Sequence, residues 1–134
     1  MSQEPSTLIA GRLRVLIVED HADSATAIAR LLRTVGHQAS VANDFKSALA
    51  LAGREGFDLL ISDIALPDGS GLDLMRQLQR IKPIKGIAMS GFASSADEGN
   101  SRAAGFSAHL GKPLDFTKLR ETIEKVWETP TSIA

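Results

Sequence analysis

Five apolar segments, each ending at polar or turn-forming residues, alternate with stretches in which apolar residues follow helical spacing. Residues 13–18 and 84–89 are nearly continuous apolar runs, and a third run leads into Asp63, as expected of strands buried on both faces of a sheet. In residues 37–42 and 106–110, apolar and polar positions alternate, which is typical of edge strands with one less buried face. The pattern therefore predicts three interior strands and two edge strands.

This alternation predicts an α/β fold, a doubly wound (βα)5 arrangement with helices on both faces of a five-stranded parallel sheet. If the alternating strands are the edges, the strand order is 2-1-3-4-5. That is the flavodoxin-like order, whose ligand crevice lies between strands one and three. We expect Asp23 to cap the first helix. The fourth helix is expected to be the most mobile, because Gly99, Asn100 and Ser101 all disfavour helix.

The composition indicates one ordinary globular domain. The chain has 134 residues, and we expect a leader or linker at 1–12, the domain at 13–128 and a tail at 129–134. A net charge of −1 gives no reason to expect direct contact with nucleic acid or a membrane surface. There is no cysteine, no apolar run of the roughly 20 residues needed to span a membrane and no signal-peptide pattern. A cytoplasmic location is therefore expected.

Candidate chemistry is concentrated at the ends of four predicted strands. Glu19 and Asp20 follow the first strand, Asp63 ends the third, Ser90 the fourth, and Lys112 follows the fifth. These ends share one edge of a parallel sheet, where neighbouring carboxylates repel each other unless a cation is bound. Carboxylates suit Mg2+, while a lysine and a hydroxyl can hold an anion. This set indicates phosphoryl transfer to an aspartate, in which a protein mainly positions groups and neutralises charge.

These residues lie in motifs that together resemble the receiver domain of two-component response regulators. The resemblance covers roughly residues 12–128, in the family's order and spacing. Any one motif is weak, but the set is highly specific. The motifs are Val15-Leu16-Ile17-Val18-Glu19-Asp20, Ile61-Ser62-Asp63 with Leu66-Pro67-Asp68-Gly69-Ser70-Gly71, Met89-Ser90-Gly91 and Gly111-Lys112-Pro113.

The resemblance implies a phosphoacceptor in signalling rather than an enzyme. Asp63 would accept a phosphoryl group from a histidine kinase or a histidine phosphotransfer domain. Asp20 and Asp63 would bind Mg2+ directly, together with the backbone carbonyl of Ala65, and Glu19 would act through water. The motif around Asp63 also resembles receivers attached to hybrid histidine kinases, and a downstream effector is implied but not identified.

The resemblance also implies a conformational switch. Ser90 and Lys112 would hold the phosphoryl oxygens, and the ring of His109 would follow the Ser90 hydroxyl as it moves inward. The surface formed by the fourth helix, the fifth strand and the fifth helix would then change, and a homodimer could form through it. The bond before Pro113 corresponds to a site where the family has a cis peptide.

Two further positions correspond to residues that influence hydrolysis of the acyl phosphate in the family. They are Ala65 and Phe92, neither of which can hydrogen-bond a water through its side chain. The resemblance therefore implies a phosphorylated form that hydrolyses slowly for a receiver.

Several alternatives stay open at this point. Asp63 could be a solvated loop acid or a helix cap, and His109 an exposed residue on an edge strand. The chain could be a degenerate receiver that only binds partners. A phosphatase of the haloacid dehalogenase type needs a second acid where this chain has Ala65, and a flavodoxin needs a phosphate-binding loop where Glu19 and Asp20 would repel phosphate.

Overall fold

Five parallel strands form the sheet at the centre of this computed structural model, which describes residues 13–91 and 95–128. The strand order is β2-β1-β3-β4-β5, so the predicted order and the predicted edge strands are confirmed. The fifth strand begins two residues later than the alternating pattern indicates. The strands are β1 (Arg14–Val18), β2 (Gln38–Ala42), β3 (Leu59–Asp63), β4 (Lys85–Ser90) and β5 (Ala108–Gly111).

Five helices cover the two faces of the sheet, as the doubly wound arrangement predicts. Side chains of the first and fifth helices pack in one apolar cluster, and those of the second, third and fourth pack in another. None of the helices in the described ranges is long and apolar enough to cross a membrane. The helices are α1 (Ala22–Thr34), α2 (Phe45–Arg54), α3 (Gly71–Ile81), α4 (Ser95–Ala104) and α5 (Phe116–Glu128).

The interior strands are apolar on both faces because each face contributes to a separate core. Along β1, Val15 and Ile17 belong to the cluster beneath α1 and α5, whereas Leu16 and Val18 belong to the opposite cluster. This follows from the two-residue period of a strand, whose side chains point alternately to either face. The two cores hold the carboxyl ends of β1, β3 and β4 in fixed register.

Capping side chains determine where most helices begin. Ser70 caps α3, accepting the Leu72 N–H at 3.0 Å, and Asp115 accepts the Lys118 N–H at the start of α5 at 3.1 Å. The expected cap of α1 at Asp23 is wrong. His21 is the cap, and its Nδ1 accepts the Ser24 N–H. Asp23 instead lies in the first turn, because α1 begins directly after the turn that follows β1.

His37, just before β2, is buried, and its Nδ1 has no hydrogen-bond partner in the described part of the chain. Burial lowers the pKa of His37 below the usual 6.5, while the charge of Glu124 opposes this effect. Below about pH 6.5 the unfolded chain therefore binds a proton more readily than the folded protein does. The contribution of His37 to the free energy of unfolding is therefore complete above about pH 6.5. It decreases as the pH falls below that value.

We expect the melting temperature to fall when the pH is lowered from 7 towards 5, and His37→Gln to make this dependence shallower. Thermal unfolding followed by circular dichroism over a pH series measures both slopes. His21→Asn is the control, since it replaces an exposed histidine and keeps a side-chain cap. Equal slopes in the wild type and His37→Gln would contradict the prediction.

Candidate functional site

Three carboxylates come together at the carboxyl edge of β1 and β3. These strands are paired, with Val18 opposite Ser62, so the residues that follow lie at the same level. The structure brings carboxylate oxygens of Glu19, Asp20 and Asp63 within 4.8 Å of one another. Glu19 and Asp63 are buried, whereas Asp20 is exposed. This gives a compact acidic site with one side open to solvent.

Lys112, directly after β5, places its ammonium group between two of these carboxylates. Its Nζ donates to Asp63 Oδ2 at 2.7 Å and to Glu19 Oε1 at 2.6 Å. Burial lowers the pKa of Lys112, but the hydrogen bonds and charges of Asp63 and Glu19 outweigh burial and raise it overall. Lys112 is therefore a permanent cation. The Lys112–Pro113 peptide bond is cis.

Glu19 is fixed from several directions. Its Oε2 accepts the N–H of His21 at 3.0 Å, and its own N–H donates to the carbonyl of Ala42 at 3.1 Å. The side-chain amide of Asn43 donates to the Glu19 carbonyl at 3.0 Å. The bond to Lys112, from a residue 93 positions away, adds to these contacts and is not anticipated by the sequence. Glu19 thus holds Lys112 in place as well as contributing negative charge.

The loop after Asp63 forms a short antiparallel hairpin whose strands have two residues each, Ala65–Leu66 and Gly69–Ser70. The sequence pattern does not predict this hairpin. Ala65 is exposed on it. Any Cβ atom at position 71 would lie 2.1 Å from the Asp63 carbonyl oxygen, so this close approach requires the glycine found there, Gly71. The Gly71 N–H also donates to the Ile64 carbonyl at 2.7 Å. The backbone that follows Asp63 is therefore tied to the start of α3.

Asp68, in the same hairpin, caps a different helix. Its carboxylate accepts the N–H groups of Phe45 at 2.7 Å and Lys46 at 3.1 Å, at the first turn of α2. Asp44 also caps α2 by accepting the Ser47 N–H at 2.8 Å. A carboxylate at a helix N-terminus is favourable because it satisfies unpaired N–H groups and complements the helix dipole. The loop beside Asp63 is thereby connected to α2.

Ser90 and His109 are in direct contact at the other side of the site. Ser90 Oγ lies 2.9 Å from His109 Nε2, and the backbone carbonyl of Ser90 accepts the Lys112 N–H at 2.8 Å. His109 is half-buried, so it is not the freely exposed edge residue of the alternative interpretation. Its Nδ1 lies 3.1 Å from the Oγ of Ser101, a residue that the sequence analysis notes only as a poor helix former.

The donor set at this edge fits a small, hard divalent cation. Lys112 contacts two of the three carboxylates, and the third is exposed to solvent. The four side chains together therefore carry a net negative charge. Mg2+ favours one or two carboxylates together with water and phosphate oxygens. Asp63 is therefore a buried carboxylate that contacts a fixed cation and is grouped with two further acids. Phe92, the second expected lifetime position, lies outside the described residues.

Comparison with known proteins agrees with this geometry. The family model of the response regulator receiver domain matches residues 15–124. The response regulator protein PilR of Pseudomonas aeruginosa is 36% identical over 113 residues, which cover 84% of this chain and 25% of PilR. The transcriptional regulatory protein ZraR of Salmonella typhimurium is 31% identical over 119 residues, 88% of this chain and 27% of ZraR. The chain thus spans about a quarter of the length of these relatives.

A solved structure shows the same fold over nearly all of its length. It is the CheY-like response regulator receiver domain protein from Methanospirillum hungatei, 32% identical to this chain. The two superpose with a TM-score of 0.80, covering 87% of this chain and 94% of the other.

Proposed function

Because this chain belongs to the response regulator receiver domain family, we propose that it is a phosphoacceptor in a two-component phosphorelay, with Asp63 as the acceptor. The observation that carries the proposal is the position of Asp63. It is a buried carboxylate at the end of a central strand, 2.7 Å from Lys112 and grouped with Glu19 and Asp20. Residues 13–128 form the proposed receiver unit.

The proposed reaction is transfer between a histidine and an aspartate. An Asp63 carboxylate oxygen attacks the phosphorus of a phosphohistidine on a histidine kinase or phosphotransfer domain. The P–O bond forms, the P–N bond breaks, and the donor imidazole leaves with the electron pair and takes up a proton. Lys112 and Ser90 stabilise the phosphoryl oxygens by donating hydrogen bonds to them, which is the main contribution that a protein makes to such transfers.

We propose Mg2+ as the bound cation, held by Asp20, Asp63 and the backbone carbonyl of Ala65, with Glu19 acting through water. The grouping of the three carboxylates within 4.8 Å supports this assignment. When bound, Mg2+ would neutralise charge between Asp63 and the incoming phosphoryl group. Lys112 adds a second positive charge at this place, since it contacts both buried acids.

The proposed output is a change of the surface made by α4, β5 and α5. Ser90 is hydrogen-bonded to His109 on β5, so inward movement of the Ser90 hydroxyl would be transmitted to that ring. A downstream effector, on the same or another chain, would read the altered surface. A homodimer formed through α4, β5 and α5 is one proposed consequence, and gel filtration with and without beryllofluoride would detect it.

A groove beside the site suits docking of the phosphoryl donor. Apolar side chains of α1 and of the segment after Pro113 line it next to Glu19 and Lys112. Phe116 is 40% exposed there, so its ring is available to a partner. A phosphohistidine must come within bonding distance of Asp63, so its domain has to cover this neighbouring surface. The lining includes Ala27, Ile28, Pro113, Leu114 and Phe116.

Phe116→Ala is expected to slow phosphoryl transfer about tenfold when the donor is a phosphorylated histidine kinase that phosphorylates the wild type. Exposed aromatic anchors often contribute more than about 1 kcal/mol at an interface. Labelling by acetyl phosphate should be unaffected, because a small donor does not use the groove. Radiolabel transfer and intact-mass kinetics measure the two rates. Ile81→Ala, which removes another exposed apolar side chain far along α3, is the control. An equal loss with both donors would refute the docking assignment.

We further propose that the phosphorylated form is long-lived, because Ala65 offers no side-chain hydrogen bond to an attacking water. Ala65→Asn, which adds an amide at an exposed position, is expected to shorten the half-life. Decay of the phosphorylated mass after removal of the donor gives both values. A wild-type half-life of seconds would contradict the proposal.

The proposed function is tested by intact-mass analysis after incubation with Mg2+ and acetyl phosphate. We expect the gain of one phosphoryl group, lost on treatment with hydroxylamine, as an acyl phosphate should be, and absent when Mg2+ is removed with EDTA. Beryllofluoride binding with Mg2+ is the second measurement, because it needs the pocket but no donor. Failure of both would favour the degenerate receiver, which only binds partners.

A further inference from the structure

Three side chains form a continuous hydrogen-bonded chain from the phosphorylation site to α4. Ser90 Oγ lies 2.9 Å from His109 Nε2, and His109 Nδ1 lies 3.1 Å from Ser101 Oγ. We propose that Ser101 is a positioning residue. It holds the His109 ring, and through it Ser90, and so sets how readily Ser90 moves to a phosphorylated Asp63. This inference rests on the proposed function.

The placement of Ser101 is unusual for a helix that covers a sheet. Ser101 is 1% exposed, and in the part of α4 with described side chains the other buried residue is Ala104, three positions later. The inward face of α4 thus has a hydroxyl where such a face normally has an apolar side chain. A buried hydroxyl is costly unless it is hydrogen-bonded, and the contact with His109 meets that need.

The two bonds of the His109 ring are coupled. A neutral imidazole has one N–H and one unprotonated nitrogen, so the ring donates to one serine and accepts from the other. In either tautomer, movement of Ser90 towards Asp63 must break the bond at Nε2 or carry the ring with it. Carrying the ring breaks the bond at Nδ1. Ser101 therefore resists the movement that carries the ring, and loss of its bond reports that movement directly to α4.

Ser101→Ala is expected to bind beryllofluoride with Mg2+ about fivefold more tightly than the wild type, which corresponds to about 1 kcal/mol, the net contribution of one hydrogen bond. Ser101→Thr keeps the hydroxyl and is expected to stay close to the wild type. Ser107→Ala, an exposed serine just before β5, is the matched control. Affinities are measured by titration calorimetry on the full chain.

Nitrogen NMR of the His109 ring gives a readout that a merely structural role would not change. We expect the Nδ1 resonance and the tautomer ratio to shift in Ser101→Ala and to stay near wild type in Ser101→Thr and Ser107→Ala. Equal or weaker beryllofluoride binding by a folded Ser101→Ala, while the wild type binds, overturns this inference alone. A wild type that binds no beryllofluoride overturns the proposed function and this inference with it.

Discussion

Asp63→Asn is expected to abolish phosphorylation, with no gain in mass from acetyl phosphate or from a histidine kinase. The amide cannot act as the carboxylate nucleophile, so no acyl phosphate can form on residue 63. The variant should remain folded, since asparagine is nearly the same size and keeps an oxygen that can accept from Lys112. Intact mass spectrometry of both proteins, treated in parallel, measures the result.

Asp58→Asn is the matched control, because Asp58 precedes the opposite end of the same strand and its Oδ2 accepts the Arg14 N–H at 2.8 Å. It is expected to be phosphorylated as the wild type is. Phosphorylation of Asp63→Asn at wild-type extent would show that another residue is the acceptor. Peptide mapping would then test Asp20, the exposed acid of the site.

Lys112→Ala is expected to slow phosphorylation from acetyl phosphate about 100-fold, the usual effect of removing one preorganised donor to developing charge. It also leaves Glu19 and Asp63 buried without their shared cation, which we expect to lower the free energy of unfolding by about 1–3 kcal/mol. Added Mg2+ should restore part of that stability, since a metal ion can neutralise the same carboxylates. Mass kinetics and urea unfolding with and without Mg2+ measure these effects.

Lys118→Ala is the control for this substitution, since Lys118 is an exposed lysine on α5. It is expected to change neither rate nor stability measurably. A Lys112→Ala protein that is phosphorylated at the wild-type rate would remove Lys112 from the proposed chemistry, whatever its stability.

The fold could be predicted because its main determinants are local. Continuous and alternating apolar runs distinguish interior from edge strands, since a strand buried on both faces cannot alternate. Strand order then places the residues after β1, β3, β4 and β5 at one edge. The placement of Glu19, Asp20, Asp63 and Lys112 at that edge follows from the topology, whereas the bond from Lys112 to Glu19 does not.

Contacts that depend on side-chain direction could not be predicted in the same way. The sequence places Asp68 in a turn, but its capping of α2 depends on how the hairpin after Asp63 folds back. His21 replaces Asp23 as the cap of α1 because the turn after β1 is shorter than the pattern suggests. Ser101 could have been noticed as a hydroxyl three residues from Ala104 on the inner face of α4. The His109 ring that it contacts, however, lies on β5 and could not be paired with it from sequence spacing.

The close approach of Gly71 to the Asp63 carbonyl has a consequence for how this protein can diverge. Both ends of the hairpin are fixed, one by the strand and the other by a position where a side chain does not fit. Between them, Ala65 and Pro67 are exposed. Substitutions there can alter the surroundings of Asp63, the proposed acceptor, without displacing it. Under the proposed function, a lineage would retune the duration of a signal by exchanging surface residues of one loop while the scaffold stays constant.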